Sequence, residues 1–147
     1  MSDLRVHMVV TDTDIEDWRQ VHNAIIPDEL GFDDVRERLQ RNHLDVAYLG
    51  EALVACTTVR PPSPDLAEPI VIVRVLPDYR RQGIGATLLE RALGQAAESG
   101  GEGVATIVWE PNVDGLRFAT AHGFTDEIDR YVPDGETSAY LTLRRTK

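Results

Sequence analysis

The sequence contains few or none of several residue types and patterns, and each absence argues against a class of protein. Cys56 is the only cysteine among 147 residues, which excludes a disulfide framework and a zinc knuckle. The four histidines are scattered without the spacing of metal ligands, so we expect no bound metal. No apolar run approaches the roughly 20 residues that span a bilayer, and the N-terminus lacks the apolar core of a signal peptide. We therefore expect a cytoplasmic protein without a membrane partner.

Basic residues are scarce as well. There are 15 lysines and arginines against 25 aspartates and glutamates, which gives a net charge of -10, and Lys147 is the only lysine. Because contacts to phosphate backbones need a basic face, we expect no nucleic-acid partner. The acidic total mildly favours a cationic partner. Length and composition, with 42% hydrophobic and 27% charged residues, fit one globular domain that spans residues 1–147.

Hydrophobic periodicity predicts the element order β-α-α-β-β-β-α-β-α-β-β. Thr13 and Glu16 have the spacing of a capping box, which predicts a first helix that ends before Pro27. A second helix is expected from Phe32 to about Arg41. The run "IVIVRVL" predicts a strand buried on both faces, and "EIDRYV" and "AYLTL" predict the last two strands. Hairpins combined with one βαβ crossover indicate an α+β domain with a mixed, mostly antiparallel sheet flanked by helices.

The stretch "VRVLPDYRRQGIGATLLERAL" carries the strongest functional signal. Gly83 and Gly85 stand where an amphipathic helix begins, and Arg80 and Arg81 precede them. The first N–H groups of a helix lack intrahelical partners and attract anions, and glycines let a ligand approach the backbone. The stretch therefore predicts a site for a phosphate or pyrophosphate.

Two familiar phosphate-binding motifs do not fit this stretch. No Gly-Lys-Ser/Thr follows, which excludes a Walker A loop. Leu88 occupies the third small position of the dinucleotide fingerprint, and no first-strand context precedes the glycines.

The segment Arg80-x-x-Gly83-x-Gly85, preceded by "VRVLP", resembles the acetyl-CoA signature of the GNAT superfamily of N-acetyltransferases. A second match lies in "EPNVDGLRFATAHGF", where Asn112 follows the fifth strand and Gly-Phe follows a short helix. The element order is similar to that of the GNAT-like acyl-CoA N-acyltransferase fold over nearly the whole chain.

The resemblance implies that the fourth and fifth strands splay apart and that the pantetheine arm of acetyl-CoA lies between them. Backbone groups of the fourth strand would pair with the arm, the glycine loop would hold the pyrophosphate, and Phe118 would contact the arm unless it is a core residue. The cofactor-binding residues implied are Val73, Arg74, Val75, Arg80, Arg81, Gln82, Gly83, Ile84, Gly85, Ala86, Thr87, Asn112 and Phe118. The Val75 N–H would stabilise the oxyanion.

The proton path is less defined. A carboxylate base is needed to deprotonate an amine; Glu68 is the first choice and Glu110 the second, and each could instead be a solvated loop residue. The family's tyrosine acid is replaced by Ala119. Tyr131 or Tyr140 could substitute for it, although a packed aromatic is the preferred interpretation of both.

Two further residues have structural interpretations. Arg74 lies within an apolar strand and must find a partner or reach water. It could orient an acidic group of a substrate or pair with a nearby carboxylate, and the pairing is the favoured interpretation. Cys56 lies in an apolar strand and is expected to be an inert core residue.

The expected function is transfer of an acetyl group from acetyl-CoA to an amine of a small molecule or of a protein N-terminus or lysine. The alternative is a non-catalytic acyl-CoA-binding sensor or partner module, and a third possibility is a longer acyl donor. The acceptor would lie over the first two helices, residues 61–69 and the hairpin near Asp134. Both a monomer and a homodimer remain open.

Overall fold

The computed structural model describes residues 3–146 of the chain. The strands in this part are β1 (Leu4–Met8), β2 (His43–Leu49), β3 (Ala52–Arg60), β4 (Ile70–Val75), β5 (Ala105–Trp109), β6 (Phe124–Tyr131) and β7 (Tyr140–Arg145). The helices are α1 (Asp12–Ile25), α2 (Phe32–Leu39), α3 (Ile84–Glu98) and α4 (Val113–Ala121). The predicted order and the α+β class are confirmed. None of these helices is long and apolar enough to cross a bilayer, and the cytoplasmic location stays a prediction.

The seven strands form one sheet in the order β1-β2-β3-β4-β5-β7-β6. Every neighbouring pair is antiparallel except β4 and β5, which α3 connects as a parallel crossover. These two strands pair only at Ile70 and Ala105. Beyond that point the Thr106 Oγ1 donates to the Val71 carbonyl at 2.5 Å, and the strands then separate. A gap therefore opens in the middle of the sheet toward the carboxyl ends of β4 and β5.

The helices cover the two faces of the sheet unequally. On one face, here called the α1 face, Trp18 is fully buried and its Nε1 donates to the Thr57 carbonyl at 3.0 Å. On the opposite α3 face, Leu89 packs with Val71 in one apolar cluster and Leu88 with Val54 in another. Burial of each such side chain stabilises the fold by roughly 1.5–3 kcal/mol. The two faces are therefore closed by separate cores, and the gap lies between them.

The first helix begins two residues earlier than predicted, so the Thr13–Glu16 capping box is wrong. Thr11 is the N-cap: its hydroxyl accepts from the Asp14 N–H at 3.1 Å, and the Asp14 carboxylate accepts from the Thr11 N–H at 3.0 Å. Burial opposes ionisation of Asp14, but hydrogen bonds from the N–H groups of Thr11 and Val10 lower its pKa to about 2. An aspartate thus closes the box, while Glu16 pairs with Arg19 on the exposed side.

Three other boundaries differ from the prediction. α2 ends at Leu39 instead of Arg41, because a turn follows in which the Arg38 carbonyl accepts from two N–H groups. β6 begins at Phe124 instead of residue 127, and as an edge strand with two irregularities it carries exposed charges that mask its strand pattern. β4 is buried only over its first half, since residues 73–75 border the gap.

His22 is a buried titratable group of α1. Its ring is 3% exposed and stacks on Trp18 with ring centroids 5.4 Å apart, and its Nδ1 lies 3.0 Å from the Asn23 Oδ1. An amide oxygen only accepts, so Nδ1 carries the hydrogen and Nε2 does not. Burial, together with the positive charge of Arg74, lowers the His22 pKa to about 4, and the imidazole is neutral at pH 7.

This burial predicts an acid-sensitive fold. Because the unfolded His22 has its ordinary pKa near 6.5, the unfolded state binds the extra proton first as the pH falls. The histidine should therefore cost about 2 kcal/mol of unfolding free energy between pH 7.5 and pH 5. Urea unfolding at the two pH values measures the loss. His22→Gln, which cannot titrate, should lose correspondingly less stability; an equal loss in the variant would contradict the buried neutral state.

Candidate active site

A cavity of about 440 Å³ occupies the gap between β4 and β5. Side chains from both faces of the sheet line it. From the α1 face these include Ile25, Ile26, Ile72, Arg74, Ile107 and Trp109, and from the α3 face Val73, Leu89, Val108, Phe118 and Phe124. The volume lies within the usual range of small-molecule sites, roughly 300–1,000 Å³. Two ligands that enter from opposite faces can therefore meet inside the sheet.

The backbone of β4 presents alternate residues to this cavity. The Leu76 N–H donates to the Val54 carbonyl at 2.9 Å, which makes those two residues a hydrogen-bonded pair of the β3–β4 ladder. Because such pairs alternate along an antiparallel ladder, Arg74 bonds to β3, whereas Val73 and Val75 turn their backbone groups toward the gap. The predicted strand edge is thus present at Val73 and Val75. The Arg74 backbone is not part of it.

The segment that joins β4 to α3 forms a concave set of backbone N–H groups, here called the N–H nest (residues 81–86). Arg81 and Gly83 have positive φ values of +64° and +83°. Gly83 is the N-cap of α3 and supplies no side-chain cap, so the N–H groups of Ile84, Gly85 and Ala86 have no partner within the helix. The nest and the helix dipole suit an anion. Thr87 directs its hydroxyl to the Gly83 carbonyl at 3.1 Å.

Gly85 lies close to an aromatic ring of α4. A Cβ at this position would lie 3.0 Å from the Phe118 Cε1 on α4. Phe118 itself combines its two interpretations, because it lines the cavity and also packs on the core of the α3 face. His122 lies beside it with ring centroids 4.5 Å apart and also lines the cavity.

The arginines beside the N–H nest differ in their contacts and exposure. Arg80 donates from Nε to the Val75 carbonyl at 2.8 Å and from Nη1 to Asp114 at 3.0 Å, so it joins the end of β4 to the first turn of α4. Arg81 is exposed and lines the cavity, as does Arg117, which the sequence did not reveal as a site residue. Gln82 is exposed outside the cavity wall.

Asn112 stands on the opposite side of the gap and caps α4. Its Oδ1 accepts from the Gly115 N–H at 3.1 Å, so its amide nitrogen is the donor that remains for a ligand. The predicted position at the end of β5 and the start of a short helix is confirmed.

The structure does not bring the two predicted bases to the cavity. Glu68 lies before β4, at the closed end of the gap, and accepts a hydrogen bond from Arg144, which lowers the Glu68 pKa. Glu110 accepts from Arg130 at 3.1 and 3.2 Å. The only carboxylate that lines the cavity within residues 3–146 is Asp114, which Arg80 already engages.

The tyrosine positions also leave the cavity without an obvious acid. Ala119 lines the wall and is buried, whereas Tyr131 is 60% exposed on β6. Cys56 is buried as expected, and burial raises the pKa of its thiol to about 12.

The favoured interpretation of Arg74 is wrong. Its side chain lines the cavity on the α1 face, beside Ile72 and opposite Cys56, and it makes no ion pair with any carboxylate among residues 3–146. The strand alternation explains this placement, because every second side chain of β4 faces α1.

Comparison with known proteins places this architecture in a family. The sequence profile of the acetyltransferase (GNAT) family matches residues 10–124, and the chain belongs to that family. The resemblance noted in the sequence is therefore confirmed. No significant match is found among curated proteins.

Solved structures share the fold at low sequence identity. A candidate phosphinothricin N-acetyltransferase has a TM-score of 0.77 and 20% identity, covering 97% of this chain and 98% of its own. The yncA protein of Salmonella typhimurium, solved with its cofactor acetyl-CoA, has a TM-score of 0.73, 14% identity and coverage of 96% and 92%. Arabidopsis thaliana NAA60, in complex with a bisubstrate analogue, has a TM-score of 0.73, 15% identity and coverage of 97% and 97%.

The contact between Gly85 and Phe118 predicts opposite effects for two glycines of α3. Gly85→Ala should destabilise the protein by about 1–2 kcal/mol, because its methyl group overpacks against the ring. Gly94→Ala is the matched control: a Cβ there meets nothing within 4 Å, so the better helix former should stabilise by roughly 0.5–1 kcal/mol. Urea unfolding measures both; stabilisation by Gly85→Ala would contradict the packing constraint.

Proposed function

We propose that this protein transfers an acetyl group from acetyl-CoA to the amine of an acceptor, either a small molecule or a peptide. The observation that supports this most is the continuity of three features: the uncapped N-terminus of α3, the free backbone edge of β4, and a cavity that reaches both faces of the sheet. The N-terminus of α3 suits the charged head of an elongated cofactor, and the edge of β4 suits its polar arm. The cavity lets an amine from the opposite face reach the far end of that arm.

The residues of the α3 face fit acetyl-CoA. The N–H nest and Arg81 would hold the diphosphate. Val73 offers the arm the backbone hydrogen bonds of a missing strand, and the Asn112 amide nitrogen would add a donor from the other side of the gap. Phe118, whose ring packs beside Gly85 and lines the cavity, would offer the arm an apolar surface. When bound, acetyl-CoA supplies a thioester carbonyl that an amine nitrogen can attack directly.

The chain itself supports the reaction chiefly by positioning and by one backbone donor. Since the Val75 N–H faces the gap, it can donate to an oxygen on which negative charge develops. Asp114 is committed to Arg80, and Glu68 and Glu110 lie off the wall. The proton of the amine therefore leaves through water in the open cavity instead of through a carboxylate in direct contact.

Acetyl-CoA binding is the first test. Isothermal titration should show a one-to-one complex, and Arg81→Ala should weaken it about tenfold because a charge-assisted contact to the diphosphate is lost. Arg36→Ala on α2, an exposed arginine away from the cavity, is the control and should bind normally. Absence of binding at millimolar acetyl-CoA would refute the proposal.

A non-catalytic acyl-CoA-binding module is the second candidate. It is favoured by the buried Ala119 in place of an acid and by the engagement of both glutamates with arginines. Such a module would bind acetyl-CoA but release no thiol with any amine of a broad panel. Thiol release that depends on an amine would rule it out.

A further inference from the structure

Arg74 is a cavity-lining arginine whose charge has no partner in the described part of the chain. Arg80, Arg91 and Arg144 each find a carboxylate within ion-pair distance, whereas Arg74 makes neither an ion pair nor a side-chain hydrogen bond with any of residues 3–146. Burial lowers its pKa. Its side chain is only partly exposed, in the cavity wall. A charge in such a site is unfavourable without a partner, so a partner that is not part of this chain is indicated.

The surroundings of Arg74 hold cations and neutral groups. Apart from burial, the strongest influences on its pKa come from Cys56, Arg38, Tyr140 and Arg60, none of which is a carboxylate. The chain carries 25 acidic residues, yet none of them is among these influences. A locally positive region therefore lies inside an acidic protein.

Two unpartnered polar groups lie on the same face as Arg74. Trp109 and Tyr140 stand directly opposite each other in the β5–β7 register, so their side chains share the α1 face. The Trp109 Nε1 and the Tyr140 Oη are buried and have no hydrogen-bond partner in the described residues. A guanidinium, an indole N–H and a phenol O–H all donate, and an ionised carboxylate only accepts.

We propose that the acceptor is an α-amino acid with an apolar side chain, whose carboxylate binds Arg74 while its α-amine enters the gap beside Val75. This inference rests on the proposed acetyl transfer. Arg74 directly precedes the residue whose N–H faces the gap, and a single carbon separates the two groups of the acceptor. Ile25 and Ile26 supply an apolar wall on this face. A polyamine, which the acidic net charge favours, would meet repulsion at Arg74.

The reaction balances without a further reagent. The α-ammonium loses two protons as its nitrogen forms a bond to the acetyl carbon, and the bond between that carbon and sulfur breaks. The sulfur takes up one proton and leaves as the CoA thiol, and the other proton passes to solvent. Thiol release therefore reports turnover directly.

Matched pairs of apolar L-amino acids and their amides test the proposal. L-leucine should be acetylated with a kcat/KM at least about tenfold above that of L-leucinamide, because the amide lacks the charged partner of Arg74. The amine of the amide is the more readily deprotonated of the two, so the preference cannot come from amine basicity. Spermidine serves as the polycationic comparison and should be the poorest acceptor.

Arg74→Gln should lower kcat/KM for L-leucine about 10- to 100-fold, mainly through KM, and leave L-leucinamide within about twofold. Arg74→Lys keeps the charge and should restore part of the preference. Arg60→Gln removes another partly buried cation of the same face, four residue pairs away along the β3–β4 ladder and outside the cavity wall, and should keep the wild-type preference. Thermal unfolding and acetyl-CoA titration of each variant verify an intact fold and cofactor site.

The outcomes distinguish a wrong acceptor class from a failure of acetyl transfer itself. If acetyl-CoA binds but the amides or spermidine react as well as the amino acids, the acceptor class is overturned and acetyl transfer stands. The acceptor class is also overturned if the protein loaded with CoA binds none of the amino acids. If acetyl-CoA itself does not bind, both acetyl transfer and the proposed acceptor class are refuted.

Discussion

The separation of β4 from β5 is the constraint on which the rest of the structure depends. After one residue pair the ladder stops, and the Thr106 hydroxyl takes the carbonyl that the next β5 residue would have paired. Unpaired backbone groups in the middle of a sheet are unfavourable unless water or a ligand satisfies them. The α3 crossover connects the two strands, and Arg80 joins the end of β4 to the first turn of α4. The fold therefore fixes both sides of the gap.

The alternation of a β-strand gives the gap two differently lined faces. Val73 and Val75 turn their backbone to the gap and their side chains to the α3 face, where the N–H nest lies. Arg74, between them, bonds to β3 through its backbone and directs its side chain to the α1 face. Under the proposed function, three consecutive residues would serve the cofactor and the acceptor on separate faces.

Local features of both fold and site were readable from the sequence, and long-range pairings were not. Gly83 and Asn112 reveal helix starts because a cap involves residues within a few positions of each other. Even so, Thr13 competed with Thr11 for the first cap, since Glu and Asp at the third helical position are both plausible. The engagement of Glu68 by Arg144 joins residues 76 positions apart. The isolation of Arg74 likewise depends on tertiary packing alone.

The distribution of charge has a kinetic consequence. The whole chain carries a net charge of -10. Among residues 3–146, however, the cavity wall holds four arginines and one carboxylate, namely Arg74, Arg80, Arg81, Arg117 and Asp114. At long range an anionic ligand meets repulsion, and inside the cavity it meets attraction. Since the screening length is about 8 Å at physiological salt, added salt should hasten the arrival of such ligands and also their departure.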